Sequence, residues 1–171
     1  MDLKKINFIF IKKIEINIDN FIKILKTLNI SNYNLFFDSN IENYDDIIQK
    51  LNNKNIGYKI IRSNDKYNTI CAPLDDNDKL IIEDLLSNKE DFFITERNMN
   101  IKEDFENVIK NPGNFVYDGF IKFSISFIVN ENEIEIILNS NSEELKAIIE
   151  NLHMAFDKEK IKIHSDSYKI K

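Results

Sequence analysis

Residues 121–140 read IKFSISFIVNENEIEIILNS. Ile121, Phe123, Ile125, Phe127 and Val129 alternate with polar or outward positions, and Ile134, Ile136 and Leu138 resume the alternation. A period of two puts successive side chains on opposite faces of a strand. The polar triplet Asn130-Glu131-Asn132 between the two runs has the composition of a tight reversal. The stretch predicts an antiparallel β-hairpin near the C-terminal end of a sheet. Glu133 and Glu135 fall together on its polar side, where the pattern makes them a solvated face rather than a carboxylate pair for acid–base work.

Working outward, strands and helices alternate. Ile6, Phe8, Phe10, Ile14, Ile16 and Ile18 keep a period of two, broken only by Lys12. They predict one long strand, or two turning near Lys12–Lys13. Asp19 then stands where a helix cap is expected, before Phe21, Ile24, Leu25 and Leu28 at helical spacing. Short strands are expected at 34–38, 56–62, 68–71 and 92–95. Helices are expected around Tyr44–Leu51, Ile81–Leu86, Ile101–Ile109 and Leu145–Phe156, and Ile161 and Ile163 open a last strand. Asn111-Pro112-Gly113 stops the helix before it, because proline cannot extend the hydrogen-bond ladder.

The fold class expected is α/β: a mixed sheet of about six to eight strands with helices on its faces and an antiparallel C-terminal hairpin. An α+β arrangement is the alternative. With 171 residues the chain fits a single domain, 1–171. A gapless shift of 101 residues lays FDSNIENYDDIIQKL on LNSNSEELKAIIENL and defines two pseudo-repeated strand–helix–strand units, 33–67 and 134–168. Ser39–Asn40 and Ser140–Asn141 occupy matching places and are expected to cap the helices that follow.

Composition excludes more than it assigns. A net charge of −6 speaks against nucleic acid, which calls for a basic footprint. No run approaches the ~20 apolar residues of a membrane span. Three glycines in the whole chain leave no glycine-rich phosphate loop. The apolar run Ile6–Ile11 is short for a secretion signal and is followed at once by Lys12 and Lys13. With one cysteine, Cys71, the chain reads as cytoplasmic. Cys71 is expected to be a buried, inert thiol, and His153 and His164 share no ligand spacing, so no cofactor and no metal are expected.

The charge is unevenly spread. Between Asp75 and Glu106 stand eleven carboxylates and four bases, so this segment carries −7 and the remainder +1. Asp75, Asp76 and Asp78 have the placement of helix-start caps, and Asn100 with Glu103 reads as a capping box. Glu83, Asp84, Glu90, Asp91 and Glu96 are left over, with Phe92 and Phe93 among them. These seven are the candidate contacts for another protein with a basic surface. In size and charge the chain is similar to bacterial immunity proteins, although no motif is shared. That resemblance implies a non-enzymatic, acidic protein that neutralises a cognate toxin. Two other classes fit the same residues: a small metal-dependent hydrolase using Asp38 and nearby carboxylates, and a self-associating structural subunit.

Overall fold

The computed structural model describes residues 3–40, 46–63, 65–96, 125–139 and 142–169. The predicted hairpin is present: β6 (Ile125–Val129) and β7 (Glu133–Leu138) pair antiparallel, Phe127 against Ile136. Asn130 closes the turn with its side-chain oxygen, which accepts from the Asn132 and Glu133 amides at 2.9 and 3.0 Å. On the other side of β7 lies β1 (Leu3–Lys12), and beyond it the last strand, β8 (Ile161–Lys169). The N-terminal alternation stops being a strand at Lys12; Ile14, Ile16 and Ile18 pack on the core as the chain turns into α1 (Ile18–Thr27).

The other strands are β2 (Asn32–Asn40), β3 (Lys59–Ser63), β4 (Tyr67–Asp75) and β5 (Phe92–Glu96). Helices α2 (Asp46–Asn53), α3 (Lys79–Ser87) and α4 (Ser142–Ala155) join them, with single 3₁₀ turns at Asp76–Asp78 and Lys158–Lys160. The expected helix at 101–109, its stop at 111–113 and the Asn100–Glu103 box lie outside the described residues.

Eight strands form one sheet in the order β3-β4-β2-β5-β6-β7-β1-β8. Helices and sheet share the chain as expected. Every ladder among the described residues is antiparallel, so the sheet is realised in the α+β form rather than as a mixed sheet. The first half, β2-α2-β3-β4-α3-β5, is a split β-α-β run in which each helix carries the chain over one intervening strand. The second half repeats that arrangement by a different route: β7-α4-β8 crosses over β1, which comes from the other end of the sequence. The units 33–67 and 134–168 therefore hold equivalent places, β2 and β7 inside their quartets, β3 and β8 at the two edges.

All four described helices contribute to one core. Phe21, Ile24, Ile47, Leu51, Ile82, Leu85, Leu152 and Phe156 meet Ile9, Leu35, Ile94, Phe127 and Ile136 from alternate sheet positions. Phe21 lies edge-on to Tyr33 and Phe92, with ring centroids 6.3 and 5.9 Å away. Alternation puts Cys71, Phe36, Phe93, Ile128, Glu135 and Phe10 in a single cross-strand row on the opposite face. Two sequence expectations fail here. Ser39 is buried inside β2 and Asn40 is its last residue, so neither caps α2, which starts at Asp46; the matching Ser140–Asn141 lies outside the described residues. The cap of α1 is Asn17, whose side chain accepts from the Asn20 amide at 2.9 Å, while Asp19 sits in the first turn where its charge favours the helix dipole.

Candidate functional site

Three helices end in the same way. After α1, α2 and α3 the chain enters the left-handed region at Asn29 (φ 56°), Asn55 (φ 54°) and Lys89 (φ 53°). Each end shows the paired hydrogen bonds of a Schellman cap: Ile30 N–H to Leu25 C=O, Ile56 N–H to Leu51 C=O and Glu90 N–H to Leu85 C=O, at 2.9, 2.9 and 3.0 Å. The residue after the left-handed one normally packs back on its helix. Ile30 and Ile56 do so. At the third end that residue is the exposed Glu90.

Glu90 and Asp91 lead into β5, which runs antiparallel to β2 with Phe93 opposite Phe36. That register brings the start of β5 beside the far end of β2. Between them lies a recess of about 350 Å³, lined among the described residues by Phe37, Asp38, Asn40, Ile47, Tyr67, Leu85, Asn88, Glu90 and Asp91. Three carboxylates share it, and no lysine or arginine is among those lining residues. Asp38 is held in place by the Thr69 hydroxyl, which donates to it at 2.6 Å.

The remaining sequence candidates scatter. Glu83 is exposed on α3. Asp84 turns to α2 and forms an ion pair with Lys50. Asp78 likewise faces Lys54, at 3.5 Å, while its second oxygen accepts from the Asp75 amide in a capping box. Phe92 is core, fully buried against Phe21, and so is withdrawn from any partner. Phe93 is half-buried on the opposite face of the sheet. Glu96 stands at the far end of β5 from Asp91, a strand length of about 17 Å away. Of the seven, only Glu90 and Asp91 line the recess. Its third carboxylate, Asp38, belonged to the rival hydrolase reading. No three His, Cys, Asp or Glu side chains among the described residues are grouped to hold a metal ion.

At the opposite end of β2 a cavity of about 310 Å³ opens between α1 and the start of α3. Tyr33 lines it, and burial, then the nearby Asp78, Asp76 and Asp75, push its phenol well above the usual range. Cys71 is buried as expected, and burial pushes its thiol up to about 12 against a weaker opposing pull from Lys59. Glu135 overturns its reading as a solvated residue. It is 9% exposed, and burial, then Glu133, raise its carboxyl against a smaller opposing effect of Lys12. Glu133 is half-buried and pairs with Lys12 at 3.2 Å.

No family model matches the chain, and no curated protein matches it. A solved structure, the ligand-free regulatory subunit of aspartate kinase from Thermus thermophilus, is similar at 12% identity over 74% of this chain and 94% of that one, with a TM-score of 0.23. A likeness of that score carries no argument about function. No described helix is long and apolar enough to cross a membrane.

Proposed function

We propose that the chain is a non-enzymatic protein-binding module that receives a basic side chain of its partner in the recess of Asp38, Glu90 and Asp91. The observation that carries this reading is the recess itself: three carboxylates from two separate segments, with no cation among the described lining residues. Carboxylates near the surface steer a basic partner into encounter, and a lysine or arginine entering the recess pairs with the carboxylate it reaches there. An immunity protein that blocks a basic toxin is the biological role that such a surface fits. The hydrolase reading has less support, since no three potential metal ligands among the described residues are grouped around Asp38.

The test is the association rate with the product of the neighbouring gene, co-expressed and purified, over a salt series. Changing Asp38, Glu90 and Asp91 together to serine should slow association most at low salt, where the screening length is about 30 Å at 0.01 M. Wild-type rates for the triple variant at low salt would overturn the proposal. Changing Asp84 belongs in no such variant, because its ion pair with Lys50 ties α3 to α2.

A further inference from the structure

The two edges of the sheet are built differently. β3 is five residues long, and its register against β4 slips between Ile60 and Arg62. A short, bulged strand is a poor template for another chain. β8 is nine residues long and pairs with β1 without a break from Ile161 opposite Ile11 to Lys169 opposite Leu3. Nothing among the described residues pairs with its outer side. Residues 162–167 are all exposed, and Ile163 is 44% exposed. An edge of this length, without a bulge in its register and free of proline, offers a row of backbone donors and acceptors that no described residue pairs with.

We infer that this edge is the interface with a second copy of the chain, β8 pairing with β8 antiparallel about a two-fold axis through His164. Two-fold pairing must match residues on the same face, so the axis passes through a residue position and not between two. With the axis at His164, Lys162 lies opposite the partner's Asp166 and Asp166 opposite the partner's Lys162. The two oppositely charged contacts of the strand are thus made at once. At this axis His164 faces its copy, each imidazole held by its own Asp166, whereas an axis at Asp166 would set two carboxylates face to face. With the axis at Ser165, Lys162 loses its acid.

The side chains are available for this. Lys162 has no ion pair among the described residues, and Asp166 holds His164 at 3.1 Å through one oxygen, leaving the other. Ile163 and its copy become diagonal neighbours across the axis and cover each other's exposed surface. Lysine on an edge usually discourages pairing; here its opposite number is an aspartate. The bulge in β3 keeps the far edges from joining, so the assembly closes as a dimer instead of growing into a fibre.

Sedimentation velocity of the full chain over a concentration series tests the inference. The expected result is a reversible monomer–dimer equilibrium. Lys162→Asp and Asp166→Lys should each raise the dissociation constant about tenfold, because each turns two attractive contacts into repulsive ones. The double reversal Lys162→Asp with Asp166→Lys should restore it. Lys59→Asp, on the β3 edge, should leave it unchanged. Hydrogen exchange adds a readout that needs no variant: the β8 amides that point away from β1 should become protected as concentration rises. A wild type that stays monomeric with those amides unprotected would overturn the inference. So would a dimer indifferent to the single reversals, or one that the double reversal fails to restore.

Discussion

The ends of α1 and α3 share a backbone and differ in what they place on it. Both close with the same pair of hydrogen bonds and a left-handed residue. At α1 these positions hold Asn29 and Ile30, the choices that favour the cap: asparagine tolerates the left-handed region, and isoleucine packs on the core. At α3 they hold Lys89 and Glu90, of which neither helps. Lysine carries the steric cost of its Cβ there, and glutamate gives up the apolar contact. The end of α2, with Asn55 and Ile56, follows α1. The chain writes the favourable ending twice and departs from it once, at the wall of the recess; under the proposed function, the exposed carboxylate is what that local loss of stability provides.

The strongest way to break this comparison is to write the third ending onto the first. Ile30→Glu should destabilise the fold by about 2 kcal/mol in chemical denaturation, since it removes a packed side chain and points a charge at the core. A loss below about 0.5 kcal/mol would mean that the apolar contact contributes little and that Glu90 sacrifices nothing. Glu135 sharpens the point, being a carboxylate that the fold does bury. Its folded value lies above its unfolded one, so the protein gains protons on folding and stability falls as pH rises through that range. Glu135→Gln should therefore add about 1 kcal/mol at neutral pH. The gain should vanish in acid below the ordinary carboxylate range, where both states are protonated; a gain independent of pH would assign it to packing instead.

Repairing the third ending should have smaller effects. Lys89→Gly should raise stability by about 1 kcal/mol, whereas Asn29→Gly should change it by only a few tenths, as thermal unfolding of the two variants would show. Equal shifts would erase the distinction between the two ends. Glu90→Ile should add about 0.5 kcal/mol while slowing association with a basic partner. If that variant were less stable than wild type, the local-sacrifice account would fail.

Much of the fold was legible because alternation and helical spacing are local. The hairpin at 125–138 and the stripes of Phe21–Leu28 and Ile81–Leu86 stand where the pattern puts them. Parallel or antiparallel pairing was not legible, since β1 and β8 meet across 158 positions, Asn7 accepting from Ser165. Ser39 and Asn40 have the composition of a cap, yet pairing with β4, Ser39 against Asn68 and Asn40 against Tyr67, draws them into β2. Glu133 and Glu135 share one face by alternation, but whether that face is wet is a tertiary property. The acidic stretch was visible as composition. The recess within it was not: pairing of β2 with β5 brings Glu90 and Asp91 beside Asp38, while Lys50 takes Asp84 elsewhere.

The pairing of β1 with β8 also decides how the molecule answers to force. Leu3 lies opposite Lys169, so the first and last described strands leave the sheet side by side at one end of a shared ladder. Tension applied through those two residues loads the hydrogen bonds one pair after another, as in a zipper, and not all together in shear. The strand that opens first is β8, and β1 follows from its contact with β7. Pulled through those two residues, the sheet should therefore peel from its β8 edge instead of shearing as a block.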